Sequence, residues 1–448
     1  DLTPKDNLSI FAFGAYDLFT VEDTSQENGV GTAFHRVDLR WDRKLGAATK
    51  LRSAATFGYD RSGNVGEGET LLIASDYMFS GRFELEHRAS DQALFRAGLD
   101  VVADELHFRI EDQPEPNTVE SSIALQPRTD IAIGARGDVV YQPEPGVTVT
   151  PGLRLDLYTS GGSVAIGVDP RIAARFDVSR SVSLENTFGV VHQPPSFVVP
   201  IPGLQIDPLE GGLQTSLQSS AGVEWRLPSE WTGTLTLFHN AFFNLTDFLG
   251  TSRIESARSE EDLLQRSLGQ AYGLELMIRR PLTRRFGGYL AYTLMRSERT
   301  FEDVNHEAAS FDRTHVLHVA GAYDLGRRWR FGTRLTFYTG APARVSNEFV
   351  DVPTAVGPGG EGIPEAAAIG ARNPAEAPPR APPFFRLDVR IEKRWPIGGK
   401  GAWISFVAEV LNATLSQEVL DYACYSDGCR GEKIGPVTVP SIGVEAAF

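Results

Sequence analysis

The chain has 448 residues, with 58 Asp and Glu against 43 Lys and Arg, and a formal net charge of −15. No basic stripe is present to neutralise phosphates, which argues against nucleic-acid binding. No apolar run approaches the roughly 20 residues that a membrane-spanning helix needs. The 44 glycines, 26 Phe, 12 Tyr and 6 Trp indicate an all-β protein rich in turns. A membrane protein of this composition must therefore be a β-barrel, which satisfies its backbone within lipid.

The first residues, "DLTPKDN", contain neither a basic region nor an apolar core, so no signal peptide is expected there. We interpret the sequence as a mature form or a fragment. Because no compositional break separates domains, we expect a single outer-membrane barrel domain over residues 1–448.

About eighteen segments alternate between apolar and polar residues, which is the pattern of a strand with two different faces. This repetition predicts a transmembrane antiparallel β-barrel of about eighteen strands, with lipid outside and a polar lumen inside. In one segment, Val37, Leu39 and Trp41 point to one face and Arg36, Asp38 and Arg40 to the other. In another, Leu153, Leu155 and Leu157 point to one face and Arg154 and Asp156 to the other.

The connectors alternate in length, which predicts tight periplasmic turns and long extracellular loops. Residues 160–163, "SGGS", are short where a long loop is due, and we interpret them as a local Gly-rich hairpin. Short connectors are expected at 43–47, 89–92, 143–146, 178–181, 227–230, 281–284, 325–328 and 396–401. Long ones are expected at 21–31, 61–69, 111–127, 195–214, 247–266, 299–312, 342–383 and 415–434.

All six tryptophans lie beside short connectors. Indole rings prefer the headgroup boundary, where the apolar body and the N–H donor are both accommodated. The placement predicts one aromatic girdle at the periplasmic rim, although tryptophan also favours strand ends in general. The predicted members are Trp41, Trp225, Trp231, Trp329, Trp395 and Trp403.

The segment "FFRLDVRIEKRW" near the end of the chain alternates strictly. Its charged row consists of Arg386, Asp388, Arg390 and Glu392. A charge at the lipid midplane would cost about 2–4 kcal/mol. We therefore expect these four side chains to line the lumen.

Two long connectors differ in composition. Residues 342–383 are rich in Pro, Gly and Ala, which predicts a large exposed loop. Residues 195–214, "PSFVVPIPGLQIDPLEGGLQ", are more apolar and suited to packing against the barrel mouth, a ligand or another chain.

The chain has two cysteines, Cys424 and Cys429, in the Gly-containing polar run "ACYSDGCRG". Their close spacing suits a small disulfide loop in an oxidising compartment. A metal site would need further Cys or His ligands, and none lies within that run. We therefore predict a disulfide rather than a free thiol pair.

The sequence contains no nucleophile elbow, phosphate-binding loop or zinc-type His-Glu-x-x-His run, so neither an enzyme nor a resident cofactor is expected. His315 and His318 are three apart on a strand and face opposite ways, which prevents them from binding one ion together. The acidic loop around His306, which ends at Asp312, suits either a bound cation or a solvated charge cluster.

Several long runs in the second half of the chain resemble the barrel strands of TonB-dependent receptors. They are "QAYGLELMIRRPLTRRFGGYLAYTLMRSER", "RTHVLHVAGAYDLGRRWRFGTRLTFYTGAPA", and "FFRLDVRIEKRW" with "WISFVAEVLNAT". The closing Phe448 resembles the signal read by the barrel-assembly machinery. The resemblance implies a 22-stranded barrel, plugged by an N-terminal domain, that imports a scarce ligand such as a metal chelate with energy from TonB.

The chain departs from that pattern because it shows no plug, no TonB box and about eighteen strands. We expect the plug and first strands to lie upstream or on another chain, with outer-membrane lipid and TonB as further partners. Two alternatives remain: a barrel that serves as scaffold or subunit of a cell-surface assembly, and a passive diffusion pore.

Overall fold

The computed structural model shows a chain built almost entirely of antiparallel strands. In the part of the chain that it describes, no helix is long and apolar enough to cross a membrane. The described residues are 3–23, 26–66, 71–111, 127–195, 209–245, 266–282, 285–300, 306–309, 311–343, 345–346, 380–398, 401–425 and 428–447.

Two 3₁₀ turns, Leu209–Gly211 and Pro228–Glu230, accompany the strands. The strands are β1 (Asp6–Asp23), β2 (Gln26–Lys44), β3 (Thr49–Gly66), β4 (Leu71–Arg88), β5 (Ala93–Glu111), β6 (Arg128–Tyr141), β7 (Val147–Ser160), β8 (Ser163–Asp177), β9 (Val182–Gln193), β10 (Gln214–Leu227), β11 (Trp231–Leu245), β12 (Ser267–Arg280), β13 (Phe286–Thr300), β14 (Glu307–Ala308), β15 (His315–Gly326), β16 (Trp329–Tyr338), β17 (Val345–Ser346), β18 (Phe384–Pro396), β19 (Trp403–Leu411), β20 (Glu418–Tyr425), β21 (Gly428–Ile434) and β22 (Val439–Ala447).

The main sheet is a meander in which each strand pairs antiparallel with its neighbours in the chain. Pairing runs in order from β1 to β13, and then through β15, β16, β18, β19 and β22. The two-residue β14 adds to the edge of β13. Eighteen strands therefore form a continuous wall, which confirms the predicted all-β fold and strand number.

The wall has two chemically different faces because successive side chains of a strand point to opposite sides. We call one side the polar face; it carries carboxylates that are at most 7% exposed, namely Asp76, Asp138, Asp156, Asp169 and Asp388. The other side is the apolar face, where Ile10, Ile166 and Ile442 are 72, 69 and 77% exposed. The predicted alternation of the strands is confirmed.

The connectors at one end of the wall are short, as predicted. The described strand bounds leave 45–48, 89–92, 142–146, 178–181, 228–230, 281–285, 327–328 and 397–402 between strands. The exception at 160–163 is a two-residue turn in which Gly161 and Gly162 have φ of 57° and 90°. Positive φ at both central residues is the geometry of a tight hairpin turn that glycine favours.

The opposite end of the wall differs from prediction in two places. Strands β1 to β4 continue through most of the predicted loops 21–31 and 61–69, because paired backbones bond to each other even without side-chain alternation. The predicted loop 415–434 contains the hairpin of β20 and β21, which joins β17 in a separate small sheet. Most of 342–383 lies outside the described residues.

The two ends of the meander are unpaired within the described part of the chain. There, β1 pairs only with β2, and β22 pairs only with β19. Eight of the nine residues of β22 are exposed. The wall therefore presents two free strand edges, each with a row of backbone donors and acceptors.

Candidate functional site: the polar face of the wall

Arginines and carboxylates on neighbouring strands pair along the polar face. Asp138 of β6, whose side chain is 1% exposed, accepts hydrogen bonds from Arg96 Nε at 2.6 Å and Arg171 Nη2 at 3.2 Å. Buried carboxylates need such partners because an unpaired charge is costly outside water. The polar face is thus cross-linked from strand to strand by its own charges.

A second cluster lies beside the first. Arg154 of β7 contacts Asp100 at 2.7 Å and Asp156 at 2.6 Å through Nη2. A Cβ placed on Gly134 would collide with the same guanidinium and with both carboxylates. The absence of a side chain at Gly134 makes room for this ion-pair cluster.

The four residues predicted to line the lumen lie in one row on the polar face of β18. Asp388, 6% exposed, accepts hydrogen bonds from Arg334 Nη2 at 2.6 Å, Arg386 Nη2 at 3.0 Å and the Asn412 backbone N–H at 2.8 Å. Arg390 contacts Glu409 at 3.4 Å and Glu445 at 2.8 Å, and Glu392 contacts Arg394 at 2.8 Å. The structure places all four on one face in two ion-pair groups, Arg386 with Asp388 and Arg390 with Glu392, and their lumenal position remains a prediction.

Sequence analysis missed the partners Arg334, Glu409 and Glu445. A signal existed, because each lies at a polar position of an alternating segment. Their pairing depends on register, and Arg334 stands directly opposite Asp388 while Glu409 stands opposite Arg390. Register between strands cannot be read from the alternation of one strand.

Asp312 was placed in an acidic loop by sequence and is fully buried in the structure. It accepts a hydrogen bond from the Ser297 backbone N–H at 2.6 Å, forms an ion pair with Arg380, and lies 3.6 Å from Arg296. His306 contacts Glu298 at 3.4 Å instead. The Asp312 carboxylate therefore serves as a structural anchor.

All six tryptophans lie within three residues of the short-connector end of a strand. Five of them occupy apolar-face positions. Cations stack on three of these rings: Arg43 lies 5.6 Å from the centroid of Trp41, Arg280 5.8 Å from Trp231, and Lys393 5.0 Å from Trp329.

Trp403 differs from the predicted girdle. It pairs with Pro396 and shares its face with Glu409, which places it on the polar face. The guanidinium of Arg394 lies 3.7 Å from its ring centroid, a cation–π contact. Ser405 and Glu409, at even spacing from Trp403, were the sequence signal for this orientation.

An aromatic row on the apolar face was missed by the sequence analysis. The ring centroids of Tyr59 and Tyr77 are 5.0 Å apart, and those of Tyr77 and His107 are 5.9 Å apart. These residues lie on β3, β4 and β5, toward the end opposite the tryptophans. Amphipathic rings at this level suit the second membrane boundary.

Asp177 closes β8 next to the short connector 178–181. The hydroxyl of Ser183 donates to its carboxylate at 2.6 Å, and Arg175 lies 3.2 Å away. These two contacts help to fix the turn that follows β8.

Cys424 and Cys429 are directly opposite residues in the β20–β21 hairpin. Opposite positions of an antiparallel pair have a Cα separation of about 4.5–5.5 Å, which a disulfide can bridge. Their side chains lie outside the described residues, so the disulfide remains a prediction.

The described part of the 195–214 connector packs against the wall. Pro195 is fully buried, and Leu209 and Leu213 are 4% and 8% exposed. Leu213 lies next to Gly167 of β8 on the polar face. Three partners were considered for this apolar connector: the barrel mouth, a ligand and another chain. Its described residues contact the barrel.

An eighteen-stranded antiparallel wall with an apolar outer face and a charged opposite face defines an outer-membrane β-barrel. The family model "TonB dependent receptor-like, beta-barrel" matches residues 3–413. The chain belongs to this family and is located in the bacterial outer membrane. The family comprises receptors and transporters rather than enzymes.

Solved structures with the same fold include three receptors at low identity. The FrpB iron transporter from Neisseria meningitidis (F3-3 variant) has a TM-score of 0.66 and 13% identity, covering 98% of this chain and 68% of that one. The ferric yersiniabactin uptake receptor FyuA from Yersinia pestis has a TM-score of 0.66 and 10% identity, and the match covers 99% of this chain and 68% of that one. The ferric-catecholate import receptor Fiu from K12 E. coli has a TM-score of 0.65 and 10% identity, and the match covers 94% of this chain and 65% of that one.

This chain thus spans about two thirds of the length of these receptors. A search of curated proteins found no match.

Proposed function

We propose that this chain is the barrel part of a TonB-dependent importer that takes up a scarce ligand such as a metal chelate. The observation that carries the proposal is the family match over residues 3–413. Iron and ferric-chelate receptors among the proteins of similar fold support this ligand class. The polar face, with its rows of paired Arg, Asp and Glu, would then line the lumen.

Two further parts belong to the proposal. A plug fills the lumen, and additional strands pair with the free edges of β1 and β22 to complete the barrel. Barrels of 22 strands hold a plugged lumen, so about four strands would complete a wall of eighteen. Upstream residues or a second polypeptide supply both parts, and TonB supplies energy through the plug. The proposed import function includes no catalytic step.

Uptake in living cells tests the proposal. Cells carrying the full gene, a gene deletion, or the full gene in a tonB deletion are incubated with radiolabelled iron as its citrate and catecholate complexes and with a labelled panel of other metal chelates. We expect uptake of at least one chelate only when both the gene and TonB are present. Uptake that needs the gene but not TonB would instead identify a diffusion pore.

A second candidate function is a barrel that serves as subunit of a surface assembly. The free edges of β1 and β22 favour it, because backbone groups along an edge are suited to pairing with another chain. Purification of the protein from outer membranes distinguishes the two. A stoichiometric partner polypeptide together with TonB-independent behaviour would favour the assembly.

A further inference from the structure

Basic side chains gather at three short connectors of the wall, 281–285, 327–328 and 397–402. These connectors join β12 to β13, β15 to β16 and β18 to β19, which are neighbouring strands of the main sheet. The connectors are far apart in sequence, so the group forms only when the strands lie side by side. We call it the basic rim patch, and its described members are Arg279, Arg280, Arg285, Arg327, Arg328 and Lys393.

Backbone hydrogen bonds hold the basic rim patch together. The Asp324 N–H donates to the Arg285 carbonyl at 2.7 Å, which joins the first connector to the second. The Arg394 N–H donates to the Arg328 carbonyl at 3.0 Å, which joins the second connector to the strand that precedes the third. The positive charges therefore lie on one continuous part of the barrel rim.

Carboxylates do not balance the basic rim patch. Within five residues of these connectors the sequence has two carboxylates, Asp324 and Glu392. Asp324 accepts a backbone hydrogen bond within its own turn, and Glu392 is held by Arg394 at 2.8 Å. In the described part of the chain, no member of the patch forms an ion pair. Arginines elsewhere on the wall, such as Arg96 and Arg334, pair with carboxylates.

Tryptophans place the patch at the level of a membrane boundary. The guanidinium of Arg280 lies 5.8 Å from the ring centroid of Trp231, and the ammonium of Lys393 lies 5.0 Å from that of Trp329. Lys393 stands opposite Trp329, which is 37% exposed on the apolar face. The apolar face of an outer-membrane barrel contacts lipid, and indole rings prefer the headgroup boundary. The patch therefore lies at the height of the phosphates of the periplasmic leaflet.

Arg280 and Lys393 use only part of their donor capacity. The Nε atom of Arg280 donates to the Ser229 backbone oxygen at 3.0 Å, and Nζ of Lys393 donates to the Arg327 backbone oxygen. A guanidinium has five N–H donors and an ammonium has three. The remaining donors are suited to the oxygens of a phosphate group.

The turn between β15 and β16 has arginines where its backbone favours other residues. Arg327 and Arg328 have φ of 48° and 66°, and both side chains are exposed. Glycine and asparagine adopt this left-handed backbone more readily than arginine does. The geometry of the turn therefore does not account for the two arginines, whereas a role for their charge does.

We propose that the basic rim patch binds phospholipids with an anionic headgroup in the periplasmic leaflet of the outer membrane. One basic residue near an anionic membrane surface strengthens binding by about five-fold. Arg280 and Lys393 donate to the lipid phosphate beside their tryptophans, and Arg327 and Arg328 add attraction at the turn. The inference concerns the barrel in its membrane, so it holds with or without ligand import.

Native mass spectrometry of the full-length protein, purified from outer membranes in detergent, tests the patch. The two probes are phosphatidylglycerol, whose headgroup is anionic, and phosphatidylcholine with the same acyl chains, whose headgroup has no net charge. Each lipid is titrated separately, and the dissociation constant of the first bound lipid is measured. We expect phosphatidylglycerol to bind about five-fold or more tightly than phosphatidylcholine.

The patch variant combines Arg327→Asn, Arg328→Gly and Lys393→Gln. Asn-Gly suits the positive φ of the turn, so the barrel is expected to fold. Phosphatidylglycerol affinity should fall about five-fold or more because three positive charges are lost, whereas phosphatidylcholine affinity should stay within about two-fold. If this variant does not fold, the double variant Arg327→Asn with Arg328→Gly carries the test.

The matched control is Arg43→Gln. Arg43 also lies over a tryptophan at the short-connector end, 5.6 Å from the ring centroid of Trp41. Its charge is balanced by Asp6 at 3.5 Å, unlike the charges of the patch. Phosphatidylglycerol affinity should therefore remain within about two-fold of that of the unmodified protein.

Three results would overturn the inference: equal affinity for the two lipids, unchanged phosphatidylglycerol affinity in the patch variant, or an equal loss in Arg43→Gln. A lack of lipid preference, together with an acidic polypeptide that copurifies with the unmodified protein but not with the patch variant, would assign the patch to a protein partner instead.

Discussion

Arg380 joins the two ends of the longest connector to Asp312. Its Nη1 atom donates to the backbone oxygen of Asp312 at 2.9 Å and to that of Gly340 at 3.2 Å, while Nη2 pairs with the Asp312 carboxylate. The Ala381 backbone N–H donates to Ala341 at 2.9 Å beside this contact. One guanidinium therefore closes the base of the segment that runs from 342 to 380.

Replacing Arg380 with alanine should lower the free energy of unfolding by about 1–3 kcal/mol, because Asp312 would keep a buried charge with fewer partners. Urea titration of the detergent-solubilised protein measures the change. Arg40→Ala is the control, since its pair with Asp38 is 3.8 Å long and the Arg40 side chain is 46% exposed; a loss of about 0.5 kcal/mol or less is expected. Equal losses in the two variants would contradict the anchoring role.

Single-tryptophan variants should separate Trp395 from Trp403. Trp395 lies on the apolar face and is 45% exposed, whereas Trp403 lies on the polar face beneath Arg394. In liposomes, lipids brominated near the headgroup should quench the fluorescence of Trp395 strongly and that of Trp403 weakly. Equal quenching would contradict the assignment of Trp403 to the polar face.

The Cys424–Cys429 disulfide is expected to leave no thiol for maleimide labelling in the unreduced protein. A double serine variant should destabilise the β20–β21 hairpin by about 2 kcal/mol, the value for a short closed loop. Hydrogen exchange of the hairpin amides with and without reductant measures this effect. Two labelled thiols in the native protein would refute the disulfide.

Gly134→Ala should destabilise the barrel by about 1–3 kcal/mol, because the added methyl group collides with the Arg154 ion pairs. The matched control is Gly443→Ala, also in a strand, where nothing lies within 4 Å of the added atom. The folded fraction of each variant is measured on gels from the difference in migration between unheated and heated samples. A Gly134→Ala protein as stable as the control would show that the cluster rearranges freely.

Strand number and short turns were predictable from sequence because both are local properties. Alternation marks each strand, and turn residues such as Gly161 and Gly162 mark its end. The extension of β1 to β4 into the predicted loops was not predictable from sequence, because a two-stranded ribbon is held there by backbone pairing that any residue can make.

The charged network was only half predictable. The row from Arg386 to Glu392 follows from the alternation of one segment. Its partners depend on register, and Asp312 with Arg380 are separated by 68 positions in the chain. The positions of Asp60 opposite Asp76 and of Asp104 opposite Asp130 likewise become visible only when the strands are aligned side by side.

The strictly sequential order of the wall has a kinetic consequence. Nearly every pairing joins consecutive strands, so each new hairpin can add to the growing edge with a small loss of chain entropy. The edges of β1 and β22 are the exception, because under the proposed function strands from outside this order cover them. Closure is therefore expected to be the slow, last step of assembly, and until it occurs both edges can capture a strand from a neighbouring molecule.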